Sequence, residues 1–256
     1  KWLLNYIRTF TCNDHQCRGA ALLKLKHSYR VCKEILLIGR ALHLEDRKMY
    51  LAQIMAILHD IGRFTQYAQY GTFIDEVSVD HADVGVTIIN SNKILDDLDP
   101  HSKDLILKAI LNHNRRTLPQ EEMNDHLFFS KLLRDADKLD IWRLSIENQL
   151  KGENGAGYGL SARLPDSPGI NESVYLDLLH KRIVNSENVC SLNDLKLLRL
   201  GWIYDINFIP TFKLIKQRDY LKRIQSTLPQ SNVKVKTVCS EAQAYLDVIT
   251  NGSGNG

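Results

Sequence analysis

Apolar residues recur every three to four positions through most of the first 150 residues, and few runs alternate with period two for more than four residues. That pattern argues against a sheet-built core and predicts an all-α fold. Over 22–43, Val31, Ile35, Ile38 and Leu42 share a stripe, and His27 lies on it four residues before Val31. His27 is therefore expected to face inward. Over 46–61, Leu51, Met55 and His59 form one stripe, Asp60 follows, and Gly62 stands where a helix C-terminus favours a left-handed residue. In "SVDHADVGVTIINSNKIL", Asp80 can cap a helix that carries His81, Gly85 and Ile88 on one face. Ser102 can cap a helix over 102–113 whose Ile106, Ala109 and Ile110 lead to His113, and a helix over about 125–150 sets Leu133, Asp137 and Ile141 at four-residue spacing. Further helical stretches fall near 172–185, 191–200, 211–227 and 238–249.

Each polar residue on these stripes is of a metal-ligating type. His27, His59, His81, His113 and Asp137 are separated by 32, 22, 32 and 24 residues, so each belongs to a different helix or helix end. A lone histidine on an apolar face is usually a hydrogen-bonded core residue. Six ligand-type residues on successive apolar stripes are different, because burying that many titratable groups costs several kcal/mol unless a partner such as a divalent cation holds them together. Helix bundles build metal sites in this way, from inward side chains on facing helices.

The chain has 256 residues, 44% of them hydrophobic, enough for a sizeable core in one large domain or two small ones. With 33 basic and 30 acidic residues, a net charge of +3 and no block of five like charges, nothing points to a nucleic-acid partner. No stretch approaches the roughly 20 apolar residues of a membrane span, and "KWLLNYIRTF" lacks the long apolar region of a signal peptide. Five cysteines, an odd and widely spaced set, read as reduced thiols of a cytoplasmic protein; Cys12 and Cys17 would make half a zinc site, but no second pair follows at finger spacing. Residues 151–170, "KGENGAGYGLSARLPDSPGI", read as a long loop, either a crossover or a lid. Gly155, Gly157 and Gly159 do not make a phosphate loop, since no strand precedes them and no Gly-Lys-Ser/Thr follows. The expected organisation is a metal-binding helical core over 1–150, this loop, and a helical extension over 171–256 packed on the same domain.

The order His…His-Asp…His…His…Asp resembles the HD-domain superfamily, best known as metal-dependent phosphohydrolases. The resemblance runs from "LKHSYRV" through "LHDIGRF", "SVDHADVG" and "ILNHNR" to "RDADKLD", about residues 27–140. It implies a helical bundle in which His27, His59, Asp60 and Asp137 are metal ligands, His81 and His113 hold a second ion, and Asp60 bridges the two. Among the acids of "RDADKLD", Asp137 matches because the family's ligand follows a small residue and precedes a basic one; Asp135 is read as exposed and Asp140 as an orienting partner of a ligand. The cyclic-dinucleotide branch would carry a His-His-Glu and a Gly-Tyr-Pro where this chain has "NHNRRTLP", and no synthetase domain follows as in stringent-response enzymes.

A mixed His/Asp site suits one or two ions of Mn, Fe, Co, Ni or Zn, with Mg also acceptable to the carboxylates. Arg63, one helical turn after Asp60, could offer its planar fork to a phosphate, and Lys138, Arg115 and Arg116 are further candidates for that task. Asp60, Arg63 and Lys138 are the expected catalytic set. Asp75, Glu76 and Asp80 read as a polar loop beside the entrance. The expected activity is hydrolysis of a small phosphate ester, with a nucleotide among the candidates. Two other readings share the ligand order: a di-iron oxygenase, whose branch places a lysine near the ligands to hold substrate, and a metal-binding regulatory module using 170–256 as an interface, for instance in a homo-oligomer.

Overall fold

The computed structural model describes residues 2–10, 15–119, 124–150 and 163–252. Among these the regular elements are helices, with no strand: α1 Trp2–Thr9, α2 His15–Ala41, α3 Asp46–Leu58, α4 Gly62–Tyr70, α5 His81–Ser91, α6 Pro100–Asn112, α7 Asn124–Leu150, α8 Glu172–Leu179, α9 Leu192–Gly201, α10 Ile209–Gln217, α11 Tyr220–Gln225 and α12 Val233–Gly252. The fold is all-α. Among the described residues no helix is long and apolar enough to cross a membrane. The chain divides into two compact units, Lys1–Asp137 and Lys138–Gly256, with the boundary inside α7, where sequence had put it at about residue 150.

In the first unit α2 packs on α3 and α4, α3 on α6, and α5 on both α4 and α6. The stripe read from 22–43 is the reason: Val31, Ile35 and Ile38 are fully buried, as are Met55, Ile89, Ile106 and Ile110. Each such side chain contributes about 1.5–3 kcal/mol by leaving water. His27 sits on that stripe and is buried with it.

Helix starts follow local chemistry. Asp80 caps α5 as expected, its Oδ1 accepting the Ala82 N–H at 2.8 Å. The cap of α6 is Asp99 rather than Ser102: Asp99 Oδ1 accepts the Ser102 N–H at 3.1 Å and Pro100 fills the first turn, where its missing N–H costs nothing. The stretch read as one helix over 211–227 splits into α10 and α11 at Asp219, which adopts φ +53°.

Gly62 does not end a helix in the left-handed region, as its spacing suggested; it begins α4. A Cβ there would lie 2.0 Å from the His81 carbonyl oxygen and 2.8 Å from the Gly85 nitrogen, so the glycine is required by the close approach of α4 to α5. Gly62→Ala is expected to lower stability by about 1–3 kcal/mol or more through overpacking, read as a fall in Tm. An unchanged Tm would mean that α4 and α5 do not meet in this way.

In the second unit α12 packs on α8, α9, α10 and α11. Trp142, fully buried, donates its indole N–H to the Arg199 carbonyl at 2.8 Å. Of the glycine-rich stretch, residues 151–162 lie outside the described residues. The rest is tied down: the Leu192 N–H donates to the Pro165 carbonyl at 3.0 Å, and Asn193 Nδ2 to the Ser167 carbonyl at 2.8 Å. Cys32, Cys190 and Cys239 are free thiols. Cys17 is disulfide-bonded, which corrects the reading of five reduced cysteines and removes Cys17 as a zinc ligand.

Candidate metal centre

Helix ends deliver most of the polar cluster. His59 is the C-cap of α3, its N–H donating to the Met55 carbonyl at 2.8 Å, and Asp60 follows in the turn before α4. His81 is the first residue of α5 and His113 the C-cap of α6, while His27 and Asp137 project from the bodies of α2 and α7. The end of α6 is secured by a buried side chain that periodicity did not reveal: Arg134 Nη1 donates to the carbonyls of Asn112 and His113, both at 3.2 Å, and to that of Arg115. Last-turn carbonyls lack helical partners, and Arg134 supplies one.

The six residues converge as two groups on either side of one carboxylate. Asp60 Oδ2 lies 3.5 Å from both His27 Nε2 and His59 Nε2, and these nitrogens are 3.3 Å apart. Asp137 Oδ1 completes that group, 3.0 Å from His27 Nε2 and 3.8 Å from His59 Nε2; the atom is buried without a well-directed hydrogen bond. Asp60 Oδ1 lies 3.4 Å from His81 Nε2 and 3.9 Å from His113 Nε2, which are 3.0 Å from each other.

Hydrogen bonds outside the cluster fix the imidazole tautomers. His59 Nδ1–H donates to the Ala56 carbonyl at 2.9 Å, His113 Nδ1–H to the Ile110 carbonyl at 2.6 Å, and His81 Nδ1–H to Asp75 Oδ2 at 2.7 Å. Burial depresses the pKa of all three rings, with Arg63 adding to it at His81 and the neighbouring imidazoles at His113, so they are neutral at pH 7. A neutral ring protonated at Nδ1 presents a lone pair at Nε2. His81 and His113 thus aim two lone pairs at each other across 3.0 Å, an arrangement that repels unless a cation lies between or beside them. Burial would raise the carboxyl of Asp60, but Lys24, His59, Arg63 and His81 together outweigh it and hold the group well below the usual range. At Asp137 the opposing influence is chiefly His27, again leaving the carboxyl ionised. Neutral imidazole nitrogens and ionised oxygens, with outer hydrogen bonds orienting the rings, are the donor set that a divalent transition metal takes.

Residues 25–142 match the family model of the HD domain, a span that contains all six residues. This segment is an HD domain. Comparisons with curated proteins and with solved structures gave no match. The HD domain is a family of metal-dependent, hydrolase-type proteins, and the His/Asp clusters of this one fit the divalent ions such domains bind.

Two cations lie beside the ligand-type residues, Lys24 just before the matched span and Arg63 within it. Lys24 Nζ donates to Asp60 Oδ2 at 2.8 Å and lies over the Phe73 ring, 5.2 Å from its centroid. Arg63 Nε is 3.4 Å from Asp60 Oδ1, and its Nη1 donates to Gln66 Oε1 at 2.9 Å, the Phe73 carbonyl at 2.6 Å and Asp75 Oδ1 at 2.6 Å. Asp75 therefore joins the Arg63 guanidinium to the His81 ring. Sequence reading missed Lys24, although its spacing of three residues before His27 puts it on the same side of α2. It also treated Asp75 as a loop acid. Other anticipated residues sit further out. Arg115 and Arg116 are exposed on the turn after His113, and Glu76 and Asp80 are exposed as well. Lys138 is buried and paired with Asp205 at 2.7 Å. Asp135 is fully buried rather than exposed, and Asp140, also buried, pairs with Arg143 at 3.1 Å.

Proposed function

We propose that this HD domain is a metal-dependent phosphohydrolase acting on a small phosphate ester at a pair of divalent ions. The observation that supports it most directly is Asp60, whose two oxygens face two separate groups of imidazole nitrogens. In this reading His27, His59 and Asp137 hold one ion, His81 and His113 hold the other, and Asp60 bridges them. Such ions, when bound, act as Lewis acids that lower the pKa of a coordinated water and polarise a phosphoryl oxygen. The protein does the rest. Asp75 and the carbonyls of Ala56 and Ile110 keep the donor lone pairs turned inward. Lys24 and Arg63 set positive charge beside the carboxylate, where charge on a transferring phosphoryl group needs neutralising. Arg115 and Arg116 offer outer contacts for a substrate anion, a nucleotide included. Lys138, engaged by Asp205, is given no step.

One observation favours a second reading. The di-iron oxygenase branch holds substrate with a lysine near the ligands, and Lys24 is such a lysine. Phosphate release from a panel of nucleotides, sugar phosphates and simple esters, loaded in turn with Mn²⁺, Co²⁺, Ni²⁺ or Mg²⁺, separates the two. The hydrolase should release phosphate equally in air and under argon. No release with any metal, together with oxygen uptake by the iron-loaded chain, would sink the proposal.

A further inference from the structure

Helix α2 has two faces of different chemistry. One is the apolar stripe that carries His27 into the core; the other is turned to solvent along the length of the helix. There Arg18, Leu22, Lys26, Tyr29, Lys33, Leu37 and Arg40 follow one another at intervals of three or four residues, which keeps them on one side. All seven are exposed, the apolar ones Leu22, Tyr29 and Leu37 by 48%, 46% and 43%. Cations and large apolar side chains thus alternate over about 33 Å, at 1.5 Å per residue. The helix holds six lysines and arginines, and its one acid, Glu34, is buried, so no negative charge of α2 interrupts the stripe. None of the four exposed cations is ion-paired among the described residues.

Four cations on one helix face attract an anionic surface, and the residues between them decide which kind. A nucleic-acid backbone would engage the cations and leave Leu22 and Leu37 in water. A second copy of this helix would set cations against cations. A protein partner would bury Lys26 and Lys33 in the middle of the contact, where interfaces are depleted in lysine. A lipid headgroup layer satisfies both kinds of residue at once. Leucine and tyrosine enter the boundary between headgroups and acyl chains, while the long lysine and arginine side chains keep their charges level with the phosphates. We propose that the solvent face of α2 is a docking surface for an anionic lipid bilayer. The contact is peripheral and needs no spanning helix, of which there is none among the described residues.

The test is co-sedimentation of the full chain with vesicles of phosphatidylcholine alone and of equimolar phosphatidylcholine and phosphatidylglycerol, at low and high salt. The chain should pellet with the anionic vesicles only, and salt should release it. Each cation near an anionic surface contributes about fivefold to affinity, so Lys26→Gln with Lys33→Gln should weaken binding by about 30-fold. Lys213→Gln with Lys236→Gln removes the same charge from exposed positions on α10 and α12 and should cost less than about twofold, since screening confines the attraction to charges near the surface. Leu22→Gln with Leu37→Gln should weaken binding by about tenfold or more and leave its salt dependence in place. All of these positions are exposed, and far-UV circular dichroism checks that the variants fold. Failure to pellet with the anionic vesicles, equal binding to phosphatidylcholine alone, or equal losses in the two lysine pairs overturns the proposal. Tighter binding of a DNA duplex or of polyglutamate than of the anionic vesicles, with no loss in the leucine pair, would assign the face to nucleic acid or to an acidic protein and overturn it as well.

Discussion

Asp60→Asn should strip the centre of metal at both imidazole groups at once and lower phosphate-ester turnover by about 10³-fold or more, since several kcal/mol of transition-state charge stabilisation go with the ions. The reason is geometric. One carboxylate serves both sides, Oδ2 toward His27 and His59 and Oδ1 toward His81 and His113. An amide of the same shape has a single oxygen, and its NH₂ must face either Lys24 and the first pair or Arg63 and the second. A donor then points at donors or at the place where a cation belongs. The lost negative charge also leaves Lys24 and Arg63, both largely buried, without their shared counter-ion. Element analysis per mole of chain, with far-UV circular dichroism as a check on folding, reads the result. A folded Asp60→Asn protein that keeps its full metal content and activity would show that Asp60 is not shared.

The same charge arithmetic predicts that ions bound at this site would stabilise the fold. Three neutral imidazoles turn lone pairs inward, and Asp137 Oδ1 is buried without a well-directed hydrogen bond. A ligand held by the folded state alone stabilises it by mass action, about 2.7 kcal/mol at a hundredfold excess over Kd. Chelation is thus expected to reduce Tm as well as activity.

Much of this centre was legible in the sequence because its residues ride on apolar periodicity. His27 is read from the Val31, Ile35 and Ile38 stripe, and all of these are buried together. What periodicity could not show is anything set by the approach of two elements. Gly62 reads as a helix stop from α3 alone; only the Cβ position against the His81 carbonyl reveals why a helix starts there instead. Asp75 lies in a short 3₁₀ turn, Asp75–Val77, with no repeat to mark it, so its bonds to Arg63 and His81 were invisible from spacing. Arg134 looked like one more charge on a long helix, whereas it closes the end of α6. Other signals were present and passed over. Asp99-Pro100 is a stronger helix start than Ser102, because the carboxylate accepts an N–H of the first turn and the proline needs none.

Separating the two groups should give unequal losses. His27→Ala with Asp137→Ala removes two of the three residues grouped on the Asp60 Oδ2 side and leaves only His59, and should abolish the ion on that side together with activity. His81→Ala with His113→Ala removes the opposed lone pairs on the Oδ1 side, and should lose the second ion while the first stays. Transition-state stabilisation by two ions on one phosphoryl group is shared, so the second double variant is expected to fall in kcat by about 10²-fold or more while keeping roughly half of the metal. The Asp75→Asn variant is the control for positioning: it keeps both histidines but weakens the bonds that orient His81 and Arg63, and outer partners of this kind typically cost 10–100-fold in metal affinity or activity. Metal stoichiometry and kcat, measured side by side on the three proteins, distinguish the cases. If His81→Ala/His113→Ala shows the metal content and kcat of the unmodified chain, these two are core histidines whose facing lone pairs carry no ion, and the centre holds a single metal.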